Sequence, residues 1–266
     1  MTKTILITGA STGIGRATAL YFAGQGWNVA ATMREPLKAD ALLKHPQISL
    51  FALDVTNADS IADALKSAMS HYHKIDVLLN NAGYGLFGPL EASSPQQVQQ
   101  QFATNVFGLI AVTQQMLPSM RAAGGGLIIN VSSIVGRMTL PYASSYIATK
   151  FAVEGLSESI RYELEPFNIR VKIIEPGGIS TEFGKGSMQT VTSDPYRTSM
   201  AKFLALFKKR NSAGARPEDV AKIIYRAAND PGNRLRYLAK PGPFFRVNRI
   251  LPDAIWRRLL VKAMVK

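Results

Sequence analysis

Tyr146 and Lys150 are the residues of this sequence whose types and spacing first indicate chemistry. Side chains four positions apart share one face of a helix, so the lysine would lie beneath the tyrosine. A free tyrosine has a pKa of about 10, which is too high for useful proton exchange near neutral pH. A nearby ammonium favours the phenolate and would lower that pKa into the range for acid–base catalysis. Because this pair is common at this spacing, the prediction depends on the elements that position it.

Six short apolar segments, rich in valine, isoleucine and leucine, predict the strands of a sheet. None alternates apolar with polar residues, and helix-length segments separate them. Such runs are typical of a parallel sheet covered by helices on both faces, a doubly wound, Rossmann-like fold in three α/β/α layers. Separate buried helical segments are disfavoured because the runs are short and regularly spaced. The predicted strands span residues 4–8, 28–32, 49–54, 75–80, 126–131 and 169–175.

A glycine-rich segment, TGASTGIG at residues 8–15, lies between the first predicted strand and a helical pattern over residues 16–24. Its glycines permit a tight exit from the strand and a close approach of backbone to a ligand. The free N–H groups at the start of the helix would face a pyrophosphate. A glycine turn without a ligand is the alternative, but this placement favours a dinucleotide site. The predicted contacts are Gly9, Ser11, Thr12, Gly13, Ile14 and Gly15.

The end of the second predicted strand indicates which dinucleotide is bound. An NAD site usually has Asp or Glu there to hold the ribose 2′-hydroxyl. This strand ends Ala31-Thr32-Met33-Arg34 instead. The planar fork of Arg34 could pair with a 2′-phosphate, which predicts NADP(H). Glu35 follows and could neutralise Arg34, and a solvated surface arginine is the alternative.

Seven motifs, in order and spacing, resemble the short-chain dehydrogenase/reductase family over residues 3–240. They are TGASTGIG at 8–15, Asp54-Val55, NNAG at 80–83, Asn105, NVSS at 130–133, YIATK at 146–150 and PGGIST at 176–181. Within the family, YIATKFAVEGL at 146–156 and the ATMR strand end look most like the hydroxysteroid and retinol dehydrogenase branch.

This resemblance implies a catalytic set. Ser133 matches the serine that hydrogen-bonds the substrate oxygen, and Ser132 is the weaker candidate. Tyr146 would donate a proton in reduction and accept one in oxidation. Lys150 would also hold the nicotinamide ribose, and Asn105 matches the residue that completes a water-linked proton relay.

The resemblance also implies further cofactor contacts. The adenine would lie against Asp54 and Val55, although Asp54 could merely end a strand. For Asn80, satisfying backbone groups in a buried position is the preferred interpretation. The residues implied beneath the adenosine ribose and along the nicotinamide carboxamide are Asn81, Ala82, Gly83, Pro176, Gly177, Ile179 and Thr181.

The predicted reaction is hydride transfer between nicotinamide and a carbonyl or secondary alcohol. The segment 180–214 is expected to cover the substrate within a dinucleotide-binding domain over residues 1–243. The apolar and aromatic residues that could line the pocket indicate a lipophilic steroid-, retinoid- or similar ketone. A 3-oxoacyl-thioester reductase and a non-catalytic redox sensor are the alternatives. These lining residues are Tyr84, Phe87, Met138, Leu140, Tyr142, Phe183, Met188, Phe203 and Phe207.

Composition excludes several classes of site. There is no cysteine, so disulfides and thiolate metal sites are excluded, and the three histidines lack metal-ligand spacing. No apolar run approaches the ~20 residues that span a bilayer, so a cytoplasmic location is expected. Of the net charge of +13, residues 201–266 carry +12, from 16 Lys/Arg and 4 Asp/Glu. A local basic surface is therefore expected, and a nucleic-acid role is disfavoured.

The extension over residues 244–266 predicts a basic amphipathic helix. Its apolar stripe could pack on the domain or a second subunit, or lie on an anionic membrane surface. A homo-oligomer, dimer or tetramer, through helices at 95–114 and 146–165 is usual in the resembled family. The predicted stripe is Ile255, Trp256, Leu259, Leu260 and Met264.

Overall fold

A parallel sheet of seven strands carries the fold, in a computed structural model that describes residues 2–39, 44–179, 187–212, 214–248 and 250–265. A second, two-stranded parallel sheet pairs the short strands β5 and β8. The strands are β1 (Thr4–Ile7), β2 (Asn28–Met33), β3 (Ile48–Ala52), β4 (Val77–Asn80), β5 (Gly85–Phe87), β6 (Gly126–Val131), β7 (Ile169–Pro176), β8 (Met188–Thr190) and β9 (Arg236–Ala239).

The order of the main sheet is β3-β2-β1-β4-β6-β7-β9, with every neighbouring pair parallel. The doubly wound fold and all six predicted strands are confirmed. The chain leaves β3 at one edge and continues with β4 beside β1, so the strand order reverses there. In open parallel sheets, ligands bind outside the carboxyl ends of the strands at such a reversal.

Helices cover both faces of this sheet, which explains why its strands are apolar throughout. Ile5 and Ile7 of β1 face one layer, and Leu6 faces the other. The helices are α1 (Gly13–Gly24), α2 (Ala58–Tyr72), α3 (Pro95–Phe102), α4 (Gly108–Ala122), α5 (Ser144–Leu164), α6 (Arg197–Ser212), α7 (Pro217–Asn229), α8 (Gly242–Asn248) and α9 (Asp253–Met264). Helices α1 and α7 pack together on the first face, while α2 and α4 pack on the second.

The helix predicted over residues 95–114 is longer than expected and irregular. A π-helical turn at Ala103–Phe107 joins α3 to α4, which continues to Ala122 through Pro118. Helix α2 ends at Tyr72, and the following residue, His73, has a left-handed φ of 62°.

A third apolar cluster lies beyond the sheet and includes the C-terminal helices. Phe203 of α6 is packed there with Phe245 of α8 and with Trp256 and Leu260 of α9. The C-terminal extension therefore packs against the domain, one of the alternatives predicted for it. Ile255 and Leu259 of the predicted stripe stay outside the cluster, each 47% exposed.

A buried polar network ties the sheet to the helices beneath the carboxyl edge. The Asn80 amide donates to Thr113 Oγ1 and to Asn130 Oδ1, both at 2.9 Å, and the Asn130 amide donates to Ser157 Oγ at 2.8 Å. Asn80 is buried as predicted, but its side chain binds other side chains and not backbone groups. Four elements, β4, β6, α4 and α5, are thereby joined by hydrogen bonds between side chains.

Replacing Asn130 with alanine is expected to destabilise the fold by about 2–3 kcal/mol, because a buried amide and a buried hydroxyl each lose a partner. Urea unfolding followed by circular dichroism measures the change. The control is Asn229→Ala, since Asn229 is exposed and its amide bonds the Tyr225 carbonyl at 2.9 Å. Equal loss in both variants would contradict a stabilising role for the network.

Candidate active site

The segments predicted to bind or react follow the carboxyl ends of four neighbouring strands. The glycine turn follows β1, Asn81 follows β4, Ser133 follows β6, and Pro176 ends β7. Since β1, β4, β6 and β7 are adjacent in the sheet, these segments meet at one edge. The sheet therefore brings together residues that are more than 160 positions apart in the sequence.

The turn after β1 has the shape of a cradle for a phosphate group. Gly9 has a φ of +67°, and a Cβ atom there would lie 2.9 Å from Ala82 Cα. Gly13 has a φ of +56° and faces open space, with no heavy atom within 4 Å of its Cβ position. Within the described ranges, the amides of Gly13, Ile14 and Gly15 have no acceptor, and Thr12 does not cap the helix with its side chain. The residues present fit a pyrophosphate at the positive end of α1.

Hydrogen bonds between Thr8 and Asn81 hold this turn against the segment that follows β4. Thr8 Oγ1 accepts from the Asn81 and Ala82 backbone amides at 2.9 and 3.1 Å. The side-chain amide of Asn81 donates in turn to the Thr8 and Gly9 carbonyls, at 2.9 and 3.1 Å. Asn81 therefore contributes by holding the turn in place, and sequence reasoning missed the matching role of Thr8. Its position before a glycine turn was the available signal.

Asp54 forms a local turn, with one carboxylate oxygen accepting from the Thr56 amide at 2.9 Å and its hydroxyl at 2.7 Å. Its backbone amide donates to Ser60 Oγ at 3.0 Å. Val55 is buried, and a Cβ atom at Gly108 would lie 2.7 Å from the Val55 carbonyl oxygen. The close packing of α4 thus fixes this pair at the sheet edge. Asp54 lies two residues after the end of β3, and its contact with an adenine stays a prediction.

Arg34 follows the last residue of β2 and is exposed. The neighbouring Glu35 forms its ion pair with Lys38, three residues further along. The carboxylate that could have neutralised Arg34 is thus directed to another cation. The guanidinium is available to an anion at the same edge as the glycine turn.

Ser133, Tyr146 and Lys150 lie together at the ends of β6 and the start of α5. A hydrogen bond from Ser133 lowers the pKa of Tyr146, but burial raises it more, to about 12. Lys150 Nζ lies 5.8 Å from the Tyr146 ring centroid and donates to the Val131 carbonyl at 3.0 Å. Burial therefore raises the pKa of Tyr146 above its usual value, an influence that the prediction from the Lys150 ammonium alone did not include.

Lys150 is itself perturbed by its surroundings. It is 7% exposed, and burial lowers its pKa to about 8, a change that the charge of Glu154 partly opposes. At neutral pH the ammonium form is still favoured. A cation without bulk water around it exerts a stronger field on nearby groups than an exposed one.

The π-helical turn places Asn105 at the same site. Its side chain accepts from the Tyr84 amide at 3.0 Å and donates to the Tyr84 carbonyl at 2.8 Å and to Thr149 Oγ1 at 3.1 Å. A Cβ atom at Gly83 would lie 2.9 Å from Asn105 Oδ1 and 4.0 Å from Lys150 Nζ. Local π-helical turns are frequent at functional sites because they re-aim one side chain. Here the turn connects the residues after β4 with α5.

The segment after β7 is held by two neighbouring elements. The Gly177 amide donates to the Ala239 carbonyl at the end of β9, at 3.0 Å, and Ile179 forms a bridge with Ala215. Ser133 Oγ lies 3.4 Å from the Pro176 carbonyl. Of the predicted carboxamide contacts, Pro176 thus lies beside the serine, while Gly177 and Ile179 are held by Ala239 and Ala215. Thr181, like the predicted pocket residue Phe183, lies outside the described residues.

An aromatic wall lies beside the Tyr146 hydroxyl. The Phe87 ring centroid lies 5.5 Å from that of Tyr146 and 5.0 Å from that of Phe207. The structure confirms that most predicted lining residues share this cluster, but Tyr84 is not in it. Sequence reasoning missed the contributions of α8 and α9. The cluster includes Phe87, Met138, Leu140, Tyr142, Met188, Phe203 and Phe207, together with Phe245, Trp256, Leu260 and Met264.

The described part of the chain has no group of three metal-ligating side chains. Its helices include none that is long and apolar enough to cross a bilayer.

A family of known proteins matches most of the chain. The profile described as short chain dehydrogenase matches residues 3–192. A 3-ketodihydrosphingosine reductase of Bacteroides thetaiotaomicron is 37% identical over 250 residues, 91% of this chain and 89% of its own length. Retinol dehydrogenase 8 of Bos taurus is 36% identical over 252 residues, 88% of this chain and 80% of its own.

Solved structures resemble the fold over nearly its whole length. A short-chain dehydrogenase from Streptomyces avermitilis has a TM-score of 0.84 and 32% identity, covering 98% of this chain and 96% of its own. ElxO, solved with NADP bound, has a TM-score of 0.74 and 28% identity, covering 91% and 99%.

Proposed function

The chain belongs to the short-chain dehydrogenase family, and we propose that it is an NADP(H)-dependent oxidoreductase that reduces the carbonyl group of a lipophilic substrate. The observation that carries this proposal is the position of Tyr146 at the carboxyl edge, where its hydroxyl interacts with Ser133 and its ring lies 5.5 Å from that of Phe87. NADP(H), when bound, supplies or accepts the hydride.

The protein's own groups would handle the proton. In reduction, the Ser133 hydroxyl orients the substrate oxygen and Tyr146 donates its phenolic proton to it. Burial raises the pKa of Tyr146 to about 12, so the tyrosine holds the proton to be donated at neutral pH. The buried Lys150 ammonium stabilises the negative charge that develops on the tyrosine. Asn105, which links Tyr84 to Thr149 beside Lys150, would connect this set to solvent through water.

The substrate class follows from the wall beside Tyr146. An aromatic and aliphatic surface recognises an apolar body, with a few polar groups to orient the reacting carbonyl. The names of two relatives, a 3-ketodihydrosphingosine reductase and a retinol dehydrogenase, support a lipophilic class without selecting a member of it. The 3-oxoacyl-thioester and sensor alternatives stay predictions that a substrate panel can distinguish.

We expect NADPH oxidation with long-chain, steroid or retinoid carbonyl compounds, and a loss of kcat of about 10²–10⁴-fold in Tyr146→Phe, because the proton donor is removed. Stopped-flow or absorbance measurement at 340 nm follows the reaction, and fluorescence titration should show unchanged NADPH binding in the variant. NADPH binding without turnover across the panel would favour the sensor. Full turnover by Tyr146→Phe would refute the role of the tyrosine.

Arg34 is proposed to select NADP(H) over NAD(H) by pairing with the 2′-phosphate. Loss of such a charge-assisted contact costs about 1.5–3 kcal/mol, so Arg34→Ala should raise the KM for NADPH about 10–100-fold and leave that for NADH nearly unchanged. Lys3→Ala is the control, because Lys3 precedes β1 at the opposite edge of the sheet. Equal use of both cofactors by the unaltered protein would overturn this assignment.

Association between copies is proposed through the helices predicted for it. Phe107, which immediately precedes α4, and Phe151 of α5 are 61% and 45% exposed. Exposed aromatic side chains on neighbouring helices support a homo-oligomeric contact there.

Contact with an anionic membrane surface is proposed for the C-terminal segment. Ile250, Ile255 and Leu259 are 82%, 47% and 47% exposed, beside the exposed cations of α9. A symmetric second copy would place like charges face to face, whereas anionic lipid is complementary. The buried side of α9 borders the aromatic wall, so a lipophilic substrate would have a short path. These cations are Arg257, Arg258 and Lys262.

The double variant Ile255→Ser/Leu259→Ser should lose most of its flotation with phosphatidylglycerol vesicles, because it removes the inserted apolar groups and leaves the buried Trp256 in place. Leu90→Ser, at another exposed leucine (63%), is the control. Flotation should fall with added salt and be weak on phosphatidylcholine. Equal flotation of the unaltered protein, the double variant and Leu90→Ser would exclude Ile255 and Leu259 as the membrane contact.

A further inference from the structure

Two buried carboxylates lie behind the catalytic lysine, and none of the proposed catalytic steps uses them. Glu154 follows Lys150 by four residues on α5, so the two side chains share a helix face. Glu154 is 5% exposed. Glu175 is fully buried on β7, immediately before Pro176. Ionised carboxylates are rarely buried to this extent unless they are paired.

Arg236 of β9 joins these carboxylates. Its Nε lies 3.0 Å from Glu154 Oε2 and 3.5 Å from Glu175 Oε1, so both carboxylates approach one nitrogen atom. A terminal nitrogen of Arg236 binds Glu158 at 2.6 Å. Arg137 approaches Glu175 Oε1 at 3.4 Å from the other side. Contacts with arginine thus fix the orientation of the Glu154 carboxylate.

The packing around Glu154 holds it against the backbone of the catalytic lysine. A Cβ atom at Gly136 would lie 3.0 Å from Glu154 Cγ and 3.1 Å from the Lys150 carbonyl oxygen. The absence of a side chain at Gly136 therefore lets the Ser133 segment close over the helix at this point. The remaining oxygen of Glu154, Oε1, is buried without a hydrogen-bond partner among the described residues.

This cluster is an inefficient way to stabilise a fold. A buried ion pair often contributes no more than apolar residues of the same size, because desolvation offsets the Coulomb attraction. Burial and the charge of Glu154 both raise the pKa of Glu175. Two adjacent buried carboxylates with unpartnered oxygens therefore require an explanation beyond stability.

We propose that Glu154 is a positioning residue for the reaction: its carboxylate, fixed by Arg236, holds the buried Lys150 side chain in its charged form. This inference rests on the proposed function, since it assumes that the Lys150 ammonium assists Tyr146. Val131 supplies a hydrogen-bond acceptor for Lys150 Nζ, but a neutral carbonyl offsets little of the cost of burying a cation.

The charges around Lys150 support this assignment. Burial lowers the pKa of Lys150 to about 8, and the charge of Glu154 is the opposing influence. Tyr146 and Glu158 lie on the same helix, Arg137 lies in the segment before it, and Glu175 and Arg236 come from β7 and β9. The cations Arg137 and Arg236 would oppose the ammonium form, whereas the carboxylate of Glu154, one helical turn from Lys150, would favour it.

The test is Glu154→Gln, which keeps the shape of the side chain and removes its charge. The pKa of Lys150 should fall by about one unit or more, since a neighbouring opposite charge shifts a pKa by about 1–3 units. Because the ammonium is lost as pH rises through the pKa of Lys150, the alkaline limb of kcat for carbonyl reduction should move to lower pH by the same amount. Activity at pH 6 should change least.

Glu158→Gln is the matched control, because Glu158 is on the same helix and binds the same arginine but its side chain is 46% exposed and lies one turn further from Lys150. Its alkaline limb should stay within about 0.3 pH units of the unaltered protein, as expected for an exposed charge. Glu154→Asp keeps the charge on a side chain that is one methylene group shorter, so a smaller shift of the alkaline limb is expected. If Glu154→Gln does not fold, Glu154→Asp gives the decisive comparison.

A readout that needs no turnover separates this proposal from the proposed function. Carbon-13 NMR of labelled lysine side chains, with Lys150→Arg for assignment, gives the pKa of Lys150 directly. A lower value in Glu154→Gln supports the proposal even where no substrate has been found. An unchanged Lys150 titration, or an activity loss equal at every pH, would overturn it and leave Glu154 a structural residue.

Discussion

Seven parallel strands end along one edge of the sheet, and every loop that leaves them there is at the same side of the protein. Parallel strands cannot be joined by tight turns, so each connection must cross back over a face of the sheet, usually as a helix. Burial on both faces makes the strands apolar, and polar groups are left for the carboxyl edge. The glycine turn, Asn81, Ser133 and Pro176 are placed together by this constraint alone.

Burial also sets the chemistry at that edge. It raises the pKa of Tyr146 to about 12, further from neutral pH. It lowers the pKa of Lys150 to about 8, closer to neutral pH. Near neutral pH the tyrosine is therefore protonated, while the lysine lies close to its own titration range. How deeply α5 packs thus influences the protonation states of both groups.

The sequence allowed much of the fold to be predicted, because apolar runs at regular spacing reflect burial on two faces. It did not reveal β9, a strand of only four residues in which Arg236 interrupts the apolar pattern. The candidate catalytic residues could be proposed from their spacing, but the direction of the Tyr146 pKa could not, since desolvation depends on neighbours distant in sequence. The contact between Arg236 and Glu154 joins residues 82 positions apart and leaves no local signal. Nor could periodicity show that Trp256 turns inward while Ile255 stays exposed.

The cations of the C-terminal quarter occupy two different environments, partly buried and exposed, which a count of charges in the sequence does not distinguish. Arg236 faces inward, where its cation compensates carboxylates behind the active site. The lysines of α6 and the cations of α9 face outward. An inward arginine contributes to the electrostatics of Lys150, whereas outward cations act only on molecules that approach the surface. Charge in this quarter therefore lies in two settings, with Arg236 against buried carboxylates and the cations of α6 and α9 on the surface. The outward lysines are Lys202, Lys208 and Lys209.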